Sequence, residues 1–364
     1  SLAKKLARLF FYTIFNHFNS IALINFVNMI ASDFSFIIPV FNRPEEIREL
    51  LESFCILNSP KTFEIVIIED GSTLDSKLII DNFTDQLKIS YYVKQNTGPG
   101  RSRNYGMERA RGRYFIILDS DCILPKDYLN AVLSKLNTSY VDGFGGPDLA
   151  DDSFTELQKA INFSMTSYMT TGGIRGKNIS EENYEPRSFN MGISKEAFQS
   201  TGGFGSIHPG EDPDLSIRLK KMGYRLHLIP EAFVFHKRRI SLESFYVQVN
   251  KFGQARPILN KWHPTSKRLV FWFPFLFSLG LVVSVLLTSL DFYWLLILFG
   301  FYFLVAMIEV FRLTKNIVVS FLVIPSIIIQ FFGYGLGFVK SYIKLSISNK
   351  NEKQLFPNLF FRSE

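Results

Sequence analysis

Between Arg113 and Asp121 the chain reads Arg-Tyr-Phe-Ile-Ile-Leu-Asp-Ser-Asp, an apolar run that stops at two acids spaced i, i+2. Tyr114 to Leu118 is short, branched and aromatic, the signature of a parallel strand buried on both faces. Side chains alternate across a strand, so Asp119 and Asp121 point the same way at its C-terminal end. Open α/β sheets bind ligands outside that edge. Two carboxylates placed side by side there repel each other unless a cation lies between them, and a hard divalent ion is the natural occupant. The other reading of the same residues is a solvated acidic turn, because Asp-x-Asp is short and common.

From Phe34 onward strands and helices alternate. Strands are expected at Phe34–Val40, Phe63–Ile68, Ile89–Val93 and Tyr114–Leu118, and helices at about Pro44 onward, Leu74–Phe83, Pro99–Arg111 and Pro125–Leu136. Pro44 suits a first helical turn, and Glu45 and Glu46 suit its positive end. Such alternation predicts an α/β fold with a mostly parallel sheet covered by helices on both faces. The stretch 140–240 is less regular. Phe144-Gly145-Gly146 and Gly172 to Gly176 read as loops near a ligand, Ser188–Ser194 as a strand, Asp212–Met222 as a helix, and Arg225–Ile229 and Ala232–His236 as short strands.

The 364 residues are 47% hydrophobic with 38 Phe, and that apolar content is unevenly spread. The runs Leu269–Leu290, Phe292–Phe311 and Ile317–Val339 are nearly uncharged, and each meets the ~20 residues a bilayer crossing needs. Pro325, Gly333, Gly335 and Gly337 leave open whether the third run spans or breaks into a re-entrant pair. Lys267 and Arg268 before the first run, with Arg312 and Lys315 after the second, put the preceding domain on the cytoplasmic side of an inner membrane. Leu242, Phe245, Val249 and Phe252 recur at helical spacing, so 241–266 reads as amphipathic helices at the membrane surface. Residues 1–32 read as a basic amphipathic interfacial helix, with Lys4, Lys5 and Arg8 on one arc and Leu2, Leu6 and Leu9 on the other; packing on the protein's own surface is the alternative. The resulting division is 1–32 interfacial helix, 33–240 soluble domain, 241–266 interface helices, 267–340 transmembrane region and 341–364 tail. The net charge of +7 fits anionic lipid or phosphorylated ligands. No zinc finger, basic-aromatic module or long Lys/Arg tract points to nucleic acid. Cys55 and Cys122 form no metal spacing and fit a reducing compartment, and the N-terminal apolar stretch has no small-residue cleavage site.

Four further polar or glycine-rich turns fall at the expected ligand edge. They are Pro39-Val40-Phe41-Asn42-Arg43, Glu69-Asp70-Gly71-Ser72, Asn96-Thr97-Gly98-Pro99-Gly100-Arg101-Ser102-Arg103, and Gly210-Glu211-Asp212-Pro213-Asp214. Taken in order with Asp-Ser-Asp, they resemble the inverting family-2 glycosyltransferases of the GT-A nucleotide-sugar fold, over about residues 34–265. The segment Tyr246–Pro264 is similar to the membrane-anchored polysaccharide branch of succinoglycan-biosynthesis type.

That resemblance implies roles. Asp70 accepts a hydrogen bond from the nucleotide base, or else caps the next helix. Pro39 and Asn42 shape the ribose and base pocket, although many relatives carry an acid where Arg43 stands. Arg103 meets the diphosphate through its guanidinium fork, and Gly98 lets backbone approach the ligand. Asp121 binds the metal, Asp119 serves ribose and metal together, and His236 is a third ligand or a satisfied strand-end histidine. A carboxylate and imidazole set suits Mn²⁺ or Mg²⁺. Asp212 is the catalytic base that deprotonates an acceptor hydroxyl. Glu211 orients the acceptor, Asp214 caps the helix, and Arg218 pairs with one of these acids. Gly146, Arg175, Asn190, Gln254 and Arg256 are candidates for donor-sugar or acceptor contacts.

Two departures bear on substrate. Processive relatives carry Gln-x-x-Arg-Trp, whose spacing Gln254-Ala255-Arg256 lacks, which argues for addition of a single sugar. Dolichol-phosphate-mannose-type enzymes follow Asp-x-Asp with Leu-Gln, where this chain has Cys122-Ile123. The expectation is a membrane-anchored, metal-dependent inverting transferase moving one sugar from a nucleotide sugar, a UDP-sugar foremost, to a hydroxyl of a lipid-linked glycan or glycolipid. The alternatives are a polyprenyl-phosphate glycosyltransferase and, from another class, a non-catalytic sugar-nucleotide-binding membrane scaffold. Partners are then the donor, the lipid-linked acceptor and membrane lipids, with a homo-oligomer left open.

Overall fold

The computed structural model describes residues 28–149, 154–172, 185–237 and 241–361. The expected N-terminal interfacial helix lies, up to residue 27, outside the described residues, as does Arg175.

Among the described residues ten strands form two sheets. They are β1 (Phe34–Val40), β2 (Glu64–Asp70), β3 (Ile89–Lys94), β4 (Tyr114–Leu118), β5 (Cys122–Ile123), β6 (Gly143–Gly145), β7 (Asp148–Leu149), β8 (Asn190–Ser194), β9 (Leu226–Leu228) and β10 (Val234–His236). The large sheet runs β3-β2-β1-β4-β8-β6-β9 and the small one β5-β10-β7. β1 to β4 pair in parallel. β8 runs antiparallel to β4 and to β6, which makes the sheet mixed rather than parallel throughout.

The continuous apolar runs are explained by cover on both faces. Along β1, Phe34, Phe36 and Ile38 enter one core with Phe54 and Phe63, while Ile37 enters the other with Val66, Ile68 and Met107. The Phe36 ring meets Phe54 edge-on at 4.7 Å and Phe63 at 5.2 Å, a geometry aromatic pairs favour. Phe144 lies in β6 and is fully buried, so the loop expected at 144–146 is a strand. The helix expected at Leu74–Phe83 shrinks to Lys77–Asp81. Its first turn is lost because Asn42 Oδ1 accepts from the amides of Thr73 and Leu74, which holds them in a loop.

Three helical segments are long and apolar enough to cross a membrane: Leu269–Leu290, Trp294–Thr314 and Ile317–Ile347. The third is one unbroken helix of 31 residues, so of the two alternatives left open at Pro325 and the glycines the break does not occur, and a boundary at residue 340 falls inside it. The glycines are packing seats. Any side chain at Gly337 would collide with the carbonyl of Asn250, and one at Gly253 with that of Tyr334. Through these seats the long helix lies along a single helix, Leu242–Trp262, where one helix or a pair was expected. It also packs on the helix Glu156–Thr166 of the α/β domain through Ala160 and Phe163.

Beyond it the chain turns back. Phe356 and Leu359 bury against Ile207, Ala255 and Ile258. Lys261 pairs with Glu352 at 2.7 Å, and the His208 amide donates to the Leu359 carbonyl at 2.8 Å. Both ends of the apolar region therefore rest on the same domain.

Candidate active site

One cleft of about 1090 Å³ opens along the C-terminal ends of β1, β2 and β4 and the start of the helix Glu211–Lys221. Its lining includes Pro39, Arg43, Asp70, Gly98, Arg103, Asp119, Asp121, Glu211, Asp212, His236 and Arg256.

Asp121 is set by strand pairing. β5 pairs antiparallel with β10, placing Cys122 opposite His236. His236 Nε2 then lies 3.2 Å from Asp121 Oδ1, and Arg43 Nη1 donates to Asp121 Oδ2 at 2.6 Å. Burial alone would raise the Asp121 carboxyl, but the charges and hydrogen bonds of His236 and Arg43 hold it well below the usual carboxylate range. His236 stacks on Phe189 at 4.8 Å, and its other ring nitrogen is 3.8 Å from Asp148.

The ligand atoms of Asp121, Cys122 and His236 all lie within 4.8 Å of one another. The Cys122 thiol donates to the Phe189 carbonyl, and burial together with the Asp121 charge pushes it well above its ordinary value, so it stays protonated. The effective donor set is carboxylate oxygen plus imidazole nitrogen, which fits Mn²⁺ or Mg²⁺. Such an ion would share Asp121 with Arg43.

Arg103 is buried, with 3% of its side chain exposed, and spans two acids. Nη2 donates to Asp119 Oδ1 at 2.7 Å and Nη1 to Glu211 Oε1 at 3.1 Å. A guanidinium so engaged is a tie between the strand edge and the helix rather than an open phosphate fork. Glu211 also receives His208 Nδ1 at 2.8 Å. Against the burial that would raise it, His208 and Arg103 bring Glu211 down to about 2. The Glu211 charge in turn outweighs burial and raises His208. Glu211 is thus a committed anion beside Asp212.

Asp212 differs. Burial and the neighbouring Glu211 carboxylate raise it above its ordinary value, and the charges of Arg187 and Arg103 oppose them. Arg187 Nη1 stands 4.0 Å from Asp212 Oδ2. A carboxylate with a raised pKa in a cleft is a better proton acceptor than a solvated one. Asp214 faces away, accepting from Arg218 and lying 2.8 Å from His263 Nε2. Arg218 and Asp214 thus form the pair expected within this motif.

Several candidates serve the fold instead. Asp70 accepts from Lys94 Nζ at 2.6 Å and from the amides of Thr97 and Gly98, locking the 96–98 loop while one edge reaches the cleft. Asn42 spends its carbonyl on the 73–74 amides and does not line the cleft. Asn190 is wholly buried, donating to the Ala232 carbonyl and accepting from Tyr128. Gly146 is pressed against that same carbonyl. Both lie in the core and not on the cleft. Gln254 donates to Asn250 and is also off the lining.

In Gln254's place Gln248, Lys251 and Phe252 line the cleft. They have the Gln-x-x-Arg-Trp spacing with Lys and Phe in the last two places, so that spacing is present six residues earlier than it was sought. Arg187 and His208 were missed altogether. His208 stands in His-Pro-Gly-Glu-Asp, next to the motif that was recognised. The last described residue, Phe361, also lines the cleft, its ring against Gly98. Gly98 has φ +89°, and a Cβ there would run into that ring.

The profile of the family described as "Glycosyl transferase family 2" matches residues 35–202. Among curated proteins, 112 residues (30% of this chain) are 34% identical to the poly(ribitol-phosphate) beta-N-acetylglucosaminyltransferase TarS of Staphylococcus aureus, over 19% of that protein. A further match, 33% identical over 115 residues, is the GalNAc(5)-diNAcBac-PP-undecaprenol beta-1,3-glucosyltransferase of Campylobacter jejuni, with 30% of this chain and 37% of that protein covered. The chain therefore spans well under half of either relative. Among solved structures, the mannosyltransferase PcManGT from Pyrobaculum calidifontis, in complex with GDP-Man and Mn²⁺, superposes with a TM-score of 0.57 at 14% identity, covering 82% of this chain and 86% of that one. Residues 35–202 thus match the family-2 glycosyltransferase model within a GT-A-like fold, and among the described residues three helices long and apolar enough to span a membrane follow.

Proposed function

We propose that the protein is a membrane-anchored, metal-dependent inverting glycosyltransferase. It moves one sugar from a nucleotide diphosphate sugar, a UDP-sugar foremost, to a hydroxyl of a lipid-linked glycan at the cytoplasmic face. The observation that carries this reading is the continuity of the cleft. The acids of the strand edge, Asp212 at the helix start, and Val270, Phe271, Phe273 and Pro274 at the head of the first apolar helix line a single space. A hydroxyl presented from the membrane side meets Asp212, and a donor lying over Asp119 and Asp121 presents its anomeric carbon to that hydroxyl.

Asp212 takes the hydroxyl proton as the oxygen bonds to the anomeric carbon. The bond from that carbon to the β-phosphate oxygen breaks, and its electron pair leaves with the nucleoside diphosphate. Attack from the face opposite the leaving group inverts the centre. Asp121 and His236, with Asp119 beside them, would hold a divalent ion, which would supply charge neutralisation for the leaving group. Arg103 fixes Asp119 and Glu211 relative to each other. The Campylobacter relative, named for a diphosphate-undecaprenol-linked glycan, supports a lipid-linked acceptor.

Because the chain leaves the apolar region on the domain where it entered, an even number of crossings fits, with the first two apolar helices as the hairpin and the third along the domain. The cations Lys267, Arg268, Arg312 and Lys315 then flank that hairpin on the cytoplasmic side.

The test is Asp212→Asn in purified protein supplied with lipid, donor and Mn²⁺. Turnover should fall by about 10²–10⁴-fold while donor binding by calorimetry is kept. Substantial residual turnover would favour a phosphate acceptor that needs no base. Wild-type protein that binds the sugar nucleotide but turns over no donor with any lipid extract would favour the non-catalytic scaffold. Product length separates one sugar from several, which matters because Gln248, Lys251 and Phe252 line the cleft.

A further inference from the structure

Arg256 lies in the second half of the helix Leu242–Trp262 with 8% of its surface exposed. It has no carboxylate or hydrogen-bond partner among the described residues, and its Nη1 is buried without one. The Phe271 ring lies 4.3 Å from its guanidinium carbon. A buried charge lacking a counterion is costly. An unpartnered guanidinium nitrogen on the lining of the cleft marks a place where an anion completes the bonding.

Location identifies that ligand. Ala255, beside Arg256, packs on Gly210, two residues before Asp212. Phe271 stands at the head of the first apolar helix. Arg256 therefore sits between the proposed base and the apolar helices, while Arg43 attends the strand-edge acids. An anion held at Arg256 has hydrocarbon-compatible helices on one side and the sugar-transfer point on the other.

We propose that Arg256 binds the phosphoryl headgroup of a phosphate- or diphosphate-linked lipid acceptor. This rests on the glycosyltransferase reading and names its acceptor class. Lys251, one turn before Arg256 and also on the lining, adds positive charge to the same approach.

The experiment uses the full chain in detergent or nanodiscs with four probes: farnesyl diphosphate, farnesol, inorganic diphosphate, and UDP with Mn²⁺. Wild type should bind farnesyl diphosphate more tightly than farnesol or inorganic diphosphate. Arg256→Met should weaken farnesyl diphosphate by about tenfold or more, the scale of a lost charge-assisted hydrogen bond, and Arg256→Lys should recover part of the loss. UDP binding should be unchanged in both. The Tm of Arg256→Met should hold or rise, because no partner is stranded.

Farnesyl diphosphate affinity unchanged in Arg256→Met overturns the proposal, as does farnesol binding as tightly as its diphosphate. Inorganic diphosphate binding as tightly as the lipid form, with the same Arg256 dependence, assigns the site to free phosphate and overturns the lipid acceptor. A fall in Tm with loss of UDP binding makes Arg256 a structural residue and overturns it too. Wild type that binds UDP but no farnesyl diphosphate overturns this inference alone, whereas wild type that binds farnesyl diphosphate but no nucleotide overturns the transferase reading.

Discussion

Arg103 and Arg256 are both buried arginines on one cleft, and they stand in opposite surroundings. At the strand edge, Arg103 bridges Asp119 and Glu211, and Glu211 is further held by His208. At the rim beside the apolar helices, Arg256 has an aromatic face beside it and no carboxylate partner among the described residues. The strand edge is charge-paired before any substrate arrives, which is where transition-state stabilisation is cheapest, although Arg103 Nε and Glu211 Oε2 are buried there without hydrogen-bond partners. The rim lacks the counterion itself, and that deficit reads as a description of what binds there.

The comparison breaks most readily at Arg103. Arg103→Met strands two carboxylates in a buried setting, and removing one partner of a buried pair costs about 3–5 kcal/mol. Chemical denaturation should register that loss, whereas the same substitution at Arg256 registers none. Equal losses at the two sites would erase the distinction. A smaller effect is expected at Asn190, which the structure assigns to the core. Asn190→Ala leaves the Tyr128 hydroxyl and the Ala232 carbonyl without their partner, at a cost of about 1–3 kcal/mol. The donor Kd should stay unchanged in the protein that folds, and a raised Kd would return Asn190 to the site.

The smallest effect sharpens the contrast between Glu211 and Asp212. Acting as a base, Asp212 must be ionised, so turnover falls as pH drops through its pKa. Burial and Glu211 raise that pKa, so the acid limb of kcat/KM should lie above the value of about 3.9 of a free aspartate. Arg187 lowers it, so Arg187→Met should move the limb to higher pH, by about a unit or less at a separation of 4.0 Å near the surface. A limb that stays put, or moves down, would detach Arg187 from Asp212.

What the sequence revealed follows from locality. β1 to β4 were legible because each centres on a mostly apolar run, and Asp70, Asp119 and Asp121 because they end such runs. Asn190 and Gly146 were misjudged because their partners, Tyr128 and Ala232, come from distant stretches that only the folded sheet assembles. Gln254 is a different miss, one of helical phase. Gln248, Lys251, Phe252 and Ala255 recur at i, i+3, i+4 and i+7 and share a face, and Gln254 falls outside it. That phase was readable from 241–260 alone. The unbroken third apolar helix was not, since glycines that loosen an isolated helix also let a neighbouring helix approach closely, and only the neighbour decides between the two.

Phe361 rests on Gly98, and Leu359 holds the backbone of His208, which in turn holds Glu211. The stretch that follows the last apolar helix is thus a wall of the cleft and a support for its acids. A preparation clipped before Leu359 would lack that wall and the backbone bond that holds His208. Activity measured on it would then report on the missing support as much as on the cleft acids.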